Sequence, residues 1–187
     1  VALVIDTTLT VDEKSSEVYE LQIGDKIVIT GSDAAGVFYG IQSLRALVDV
    51  KAYAEKNNST LSLRKATVKD APRFQYRGMH LDVVRNFQKK ESVLRLLDMM
   101  AFYKLNKFHF HISDDEGWRL EIEGLPELTE VGSRRGHSAD ESEMINPAYG
   151  SGPNPSEDSH GTGHYSKDDF IEILKYAKKR HIEVIPE

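Results

Sequence analysis

The run Lys107-Phe108-His109-Phe110-His111-Ile112-Ser113-Asp114-Asp115-Glu116-Gly117-Trp118-Arg119 constrains this chain more than any other stretch. It opens with aromatic and β-branched residues, the composition of a buried strand. It closes on three consecutive acids, then Gly, Trp and Arg. Adjacent carboxylates repel one another, so three in a row need solvent, a cation or hydrogen-bond donors around them. A buried strand that delivers acids at its C-terminal end is how α/β folds build sites. The same letters also fit a strand running out into a polar loop. Trp118, Arg119 and comparable strand ends elsewhere favour a site.

Two further strands are predicted to end the same way. Tyr76 to Val84 reads as a strand finishing in Asp82, Arg85 and Asn86, and His181 to Pro186 as one with Glu187 at its tip. Between the strands, Glu91 to Leu105 has Val93, Leu96, Leu97, Met100 and Ala101 at helical spacing, with Asn106 as the expected stop. Ser166 and Asp169 form a capping-box pattern before a helix from Lys167 to Arg180, with Phe170, Ile173, Leu174 and Ala177 facing inward. About fifty Gly- and Pro-rich residues separate the second strand from that helix. A loop of that length inside a domain is usually functional or disordered. Alternation of strand and helix implies parallel strands joined by crossovers, so all three polar tips fall on one sheet edge.

Residues 1–70 read differently, as a small α+β unit. Val1 to Ile5 is strand-like. Tyr19, Leu21 and Ile23 alternate on one face of an extended run, Gly24-Asp25 turns the chain, and Lys26 to Thr30 returns. After Gly31-Ser32-Asp33, a helix is expected from Ala34 to Val50 with Val37, Ile41, Leu44 and Val48 on one stripe. Gly36 and Gly40 weaken that helix and suggest close packing. Lys51 to Thr60 is loop-like, and Leu61 to Val68 is extended. Asp70-Ala71-Pro72 punctuates the boundary, giving domains 1–70 and 71–187.

A hydrophobic share of 40% is enough for a core, and a net charge of −6 without a basic patch speaks against nucleic acid. No apolar run reaches the ~20 residues of a membrane span. There are no cysteines, so neither disulfides nor thiol chemistry arises. The chain starts at Val1 and stops at Glu187, both inside strand-like runs, so both ends look cut and localisation stays open.

The candidate residues admit two readings each. Arg85 offers a fork of donors suited to neighbouring hydroxyls or a carboxylate, or else an ion pair with Asp82 or an acid of the second strand. Asp114 and Asp115 can accept from sugar hydroxyls, orient a histidine or bind a cation, and only one of them need face the site. Trp118 is a platform for a sugar face or a plug over a core. His109 and His111 lie two apart on one strand face, a spacing seen in metal ligands, but they precede the acids and read better as satisfied core histidines.

At these residues a resemblance becomes specific. Arg77-Gly78-Met79-His80-Leu81-Asp82-Val83-Val84-Arg85-Asn86-Phe87 resembles the first barrel strand of the β-N-acetylhexosaminidases of glycoside hydrolase family 20. Tyr103 to Arg119 resembles their second strand, and Ile182-Glu183-Val184-Ile185-Pro186-Glu187 is similar to their third. Ala35 to Leu44 resembles the helix of the α/β domain that precedes the barrel. The chitobiase-like bacterial members look nearest.

The resemblance implies an α/β fold: a small α+β domain like hexosaminidase domain 2, then about three βα units of a (β/α)8 barrel. It implies that Arg85 holds ring hydroxyls of a terminal N-acetylhexosamine. It also implies that Asp114 takes part in substrate binding and in a relay with a histidine beyond this chain. The family uses substrate-assisted retention, in which the 2-acetamido oxygen attacks the anomeric carbon. The Asp-Glu pair for that chemistry lies on a fourth strand, so no catalytic residue is assigned here, and the chain by itself is expected to be inactive. Expected partners are N-acetylhexosamine-terminated glycans or chitin oligosaccharides, with no cofactor, metal, nucleic acid or membrane. Uncovered barrel edges invite self-association. The alternatives are a metal-dependent hydrolase barrel using His109 and His111, and a non-catalytic sugar-binding module.

Overall fold

The computed structural model describes residues 1–54, 61–148, 151–155 and 160–187. They divide into two units: Val1–Arg77 with Ala101–Lys104, and Gly78–Met100 with Leu105–Glu187.

In the first unit, strands β1 (Ala2–Ile5), β2 (Tyr19–Ile23), β3 (Ile27–Gly31) and, after two helices, β4 (Ala66–Asp70) form one sheet in the order β1-β3-β2-β4. β2 and β3 are the expected hairpin, and β1 joins β3 in parallel. Tyr19, Leu21 and Ile23 are buried as their alternation requires. Helix α1 (Ala34–Ala46) brings Val37, Tyr39, Ile41 and Leu44 to that core. Its start is set by Asp33, whose carboxylate accepts the Gly36 amide at 2.7 Å. A Cβ on Gly36 would stand 2.1 Å from the Val18 carbonyl oxygen, and one on Gly40 would stand 2.4 Å from Ile29 Cγ2. Both glycines therefore serve close approach of helix to sheet.

The expected helix from 34 to 50 divides instead. α1 ends at Ala46, and α2 (Val50–Ala54) restarts after Asp49, whose side chain accepts the Lys51 amide at 2.9 Å. Asp in a helix interior competes for backbone donors, and here it wins. Residues 51–54, expected as loop, are thus helical, and 55–60 lie outside the described residues. The extended stretch from Leu61 shortens to β4.

In the second unit, β5 (Gly78–Asp82), β6 (Lys107–His111) and β9 (Glu183–Pro186) form a parallel sheet in the order β5-β6-β9. The connecting helices are α3 (Lys90–Phe102) and α5 (Lys167–Lys178), and a small hairpin β7 (Ser113–Asp114) with β8 (Gly117–Trp118) extends from β6. A four-residue helix, α4 (Glu127–Glu130), sits in the long loop. The predicted strand 107–113 is therefore broken at Ile112. One sheet face carries Phe108 and Phe110, fully buried and stacked at 4.8 Å. Val93, Leu97 and Met100 of α3 and Ile173 and Ala177 of α5 are buried with them. This arrangement, a domain 2-like unit followed by the first βα units of a barrel, is the fold class read from the sequence.

Two local expectations change. α3 ends at Phe102, and the chain turns at Lys104, which adopts a left-handed φ of 60°, and not at Asn106. Asn106 is buried, and its carbonyl accepts the Glu183 amide at 2.9 Å, tying β6 to β9. Leu174 is exposed, because Ile173 and Ala177 already define the inward stripe of α5. The capping box at its start forms as expected, with Ser166 Oγ accepting the Asp169 amide at 3.1 Å.

Candidate functional site

Period-two alternation sorts the parallel sheet into an apolar and a polar face. His80 is opposite His109, and Asp82 is opposite His111. Phe110 is opposite Pro186, so Glu187 comes level with His111. The polar face therefore collects His80 and Asp82, His109 and His111, and Glu187 from three strands.

At the C-terminal edge, the β5 end turns sharply. Asp82 Oδ1 accepts the amides of Val84 at 2.8 Å and Arg85 at 3.1 Å. That turn places the Arg85 side chain between two carboxylates. Its Nε meets Asp82 Oδ2 at 2.5 Å, and its Nη1 donates to Asp114 Oδ2. Burial works against the Arg85 charge, but Asp82 and Asp114 outweigh it and hold the guanidinium charged. Nη2 has no protein partner among the described residues.

Asp114 is equally committed. Its Oδ1 accepts the Glu116 amide at 2.6 Å, and its Oδ2 also receives His111 Nε2 at 2.9 Å. Burial would raise its carboxyl pKa, but the His111 and Glu116 hydrogen bonds and the Arg85 charge bring it below the usual carboxylate range. His111 reaches the other way too, Nδ1 to Glu187 Oε2 at 2.8 Å. Burial opposes its charged form, yet the bonds to Asp114 and Glu187 raise its pKa above the usual histidine value. Glu187 Oε2 is shared with His109 Nε2 at 2.7 Å. His80 packs edge-on against His109, with ring centroids 4.9 Å apart.

The two open readings of Arg85 are thus one arrangement: it pairs with Asp82 and with Asp114, and still presents Nη2. Of the acid pair, Asp114 joins the network while Asp115 is exposed. His109 Nε2 and His111 Nδ1 both reach Glu187 Oε2, so each half-buried ring has a carboxylate partner. Trp118 is half-buried, and its indole N–H donates to the Leu120 carbonyl. Of the loop histidines, His137, His160 and His164 are exposed, and His164 Nδ1 meets Ser133 Oγ at 3.3 Å.

Sequence reasoning missed two elements. His80 was passed over, although its spacing of two from Asp82 puts it on the same face. The second is a pair of buried arginines beneath the site. Arg119 is fully buried and donates to five carbonyls: Val83 at 3.0 Å, Val84 at 2.6 Å, Ser133 at 2.8 Å, Gly161 at 2.8 Å and Gly163 at 2.9 Å. Burial, reinforced by repulsion from Arg135, lowers its pKa to about 10. Arg135 donates to the carbonyls of Asn146, at 2.9 Å, and Glu116. These fixed donors fasten both ends of the long loop to the Val83-Val84 backbone that precedes Arg85.

Comparison with known proteins matches both units. Residues 74–187 fit the family model for the catalytic domain of glycosyl hydrolase family 20, and residues 2–71 fit that family's domain 2. An N,N'-diacetylchitobiase of Vibrio harveyi is 51% identical over 185 residues, covering 98% of this chain and 20% of that protein. A chitooligosaccharidolytic β-N-acetylglucosaminidase of Bombyx mori is 33% identical over 91% of the chain and 25% of its own length. Among solved structures, a family 20 exo-β-N-acetylglucosaminidase of Vibrio harveyi in complex with N-acetylglucosamine superposes with a TM-score of 0.83 at 34% identity, over 98% of this chain and 26% of that one. The chain spans about a fifth of the length of the first of these relatives. The family match gives the reading as a metal-dependent hydrolase no support. With more than half of its residues in the catalytic-domain match, the chain belongs to glycosyl hydrolase family 20.

Proposed function

We propose that the whole protein is a β-N-acetylhexosaminidase that removes terminal N-acetylglucosamine or N-acetylgalactosamine from glycans or chitin oligosaccharides. The observation that carries this reading is Arg85, held between Asp82 and Asp114 at the C-terminal edge of parallel strands with Nη2 uncommitted. A guanidinium fixed on two sides has little entropy left to lose when it meets vicinal hydroxyls. Asp114 acts chiefly by aiming Arg85, since three donors already occupy its oxygens. It retains acceptor capacity on Oδ1 for a sugar hydroxyl.

The reaction class follows from the family. The acetamido oxygen of the bound sugar displaces the leaving oxygen, which takes a proton from a general acid, and water then opens the oxazolinium-type intermediate with retention. The acid and the aspartate that orients the amide are not among the residues assigned in this chain. Its own contribution is substrate holding. The names of the relatives, chitobiase and N-acetylglucosaminidase, support this sugar class.

The test is turnover of 4-nitrophenyl N-acetyl-β-D-glucosaminide by the full-length protein, beside the matching glucoside, which lacks the acetamido nucleophile. Release from the first and not the second is expected. Equal turnover of both would overturn substrate assistance. A polypeptide of these 187 residues alone should be slower by at least the roughly 10²–10⁴-fold worth of a general acid.

A further inference from the structure

We propose that His80, His111 and Glu187 form a binding site for a divalent transition-metal ion, zinc being the best match. Among the described residues this is the one group of three or more His, Cys, Asp or Glu whose ligand atoms all lie within 4.8 Å of one another. His80 lies on β5, His111 on β6 and Glu187 directly after β9, level with the polar face, so the register sets their separation. Two imidazoles and one carboxylate are a donor set that suits zinc, with one position left open. Ligands at about 2.0–2.2 Å in a tetrahedron stand roughly 3.4 Å apart, within reach of small side-chain rotations from the observed positions.

A second observation points the same way. Metal-ligating histidines characteristically donate their other ring N–H to a carboxylate, which fixes tautomer and ring plane. His111 has that arrangement: Nε2 meets Asp114 Oδ2 at 2.9 Å, and Nδ1 faces Glu187 Oε2 at 2.8 Å. An ion would replace the proton shared on the Nδ1 side and leave the Asp114 bond intact. The backbone is fixed as well. The Glu187 amide donates to the Phe110 carbonyl at 3.0 Å, and its carbonyl accepts the Ile112 amide at 2.8 Å. The Val83 amide donates to the His111 carbonyl at 3.1 Å, tying β5 to β6. His80 makes ring contacts with His109 and His111 but no hydrogen bond among the described residues, so its ring is available to turn. The site shares Asp114 with the sugar site proposed above, but its three ligands are other residues and its test reads metal binding alone.

The experiment is calorimetric titration of the tag-free, metal-free full-length protein with zinc chloride. Saturable one-to-one binding is expected. His80→Ala and Glu187→Gln should abolish it. Asp114→Asn, which removes the carboxylate behind His111, should weaken it about 10–100-fold. His164→Ala, in the long loop, should leave it unchanged. His80 makes only ring contacts among the described residues, so its variant should keep the wild-type circular dichroism and report on the ligand alone. Absence of saturable binding, or binding that survives His80→Ala undiminished, overturns the site.

Discussion

Arg85 and Asp114, 29 residues apart, form an ion pair that ties the end of the first barrel strand to the hairpin after the second. The same Asp114 oxygen takes His111 Nε2, so the aim of Arg85 depends on residues from two strands. Replacing Arg85 by Ala in the full-length protein should raise the inhibition constant of an N-acetylglucosamine-type inhibitor by about tenfold or more, the loss of charge-assisted hydrogen bonds. Arg85→Lys should recover little, because an ammonium cannot reach two carboxylates and a hydroxyl in one plane. An unchanged constant for Arg85→Ala would remove Arg85 from the binding site.

Arg119 should be among the most costly residues to replace in the second unit. Arg119→Met strips five carbonyls of their donor at a fully buried position. Each buried acceptor left unsatisfied costs about 1–3 kcal/mol, so a loss above about 3 kcal/mol is expected in urea unfolding. Arg119→Lys should lose nearly as much, having fewer and differently directed donors. A loss below about 1 kcal/mol would mean that water replaces the guanidinium.

Gly36→Ala tests the helix-to-sheet approach in the first unit. The added methyl would meet the Val18 carbonyl oxygen at 2.1 Å, and both are backbone-anchored. Overpacking of this kind should cost about 2 kcal/mol or more despite the better helix propensity of alanine. Gly24→Ala, whose nearest neighbour would be 3.8 Å away, serves as the mild comparison. Equal midpoints for the two variants in denaturant unfolding would contradict the close approach.

The capping box of α5 should make stability fall in acid. The Lys90 hydrogen bond is the main cause that lowers the Asp169 pKa below 3.8, aided by Ser166 and opposed by burial. A depressed carboxyl contributes stability that is present above its unfolded pKa and lost as pH falls through the folded value. Urea midpoints of the wild type should therefore drop on going from pH 5 to below 3.8, and Asp169→Asn should flatten that slope. Ser166→Ala should cost about 1 kcal/mol at neutral pH, as loss of an N-cap does. An identical pH slope in Asp169→Asn would place the acid sensitivity elsewhere.

Local order was largely legible in the letters. The alternation of Tyr19, Leu21 and Ile23, the capping pattern of Ser166 and Asp169, and the helical spacing of Val93, Leu97 and Met100 each impose a period on a short segment. Periods act through neighbours in sequence, so they survive without tertiary context. The strand tips at Asp82, Asp114 and Glu187 were legible for the same reason, since a run of apolar residues ending in acids has few ways to be buried.

Register and long-range satisfaction were not legible. That His80 comes level with His109, and Glu187 with His111, follows from which amide meets which carbonyl between strands, and a shift of one residue would send each side chain to the other face. The carbonyl clamp of Arg119 joins residues up to 44 positions apart, and no spacing rule encodes it. Sequence determined which segments are strands, which are helices and where charge gathers. Only the tertiary structure decided which charges face one another, because that depends on backbone pairing between segments that have no local memory of each other.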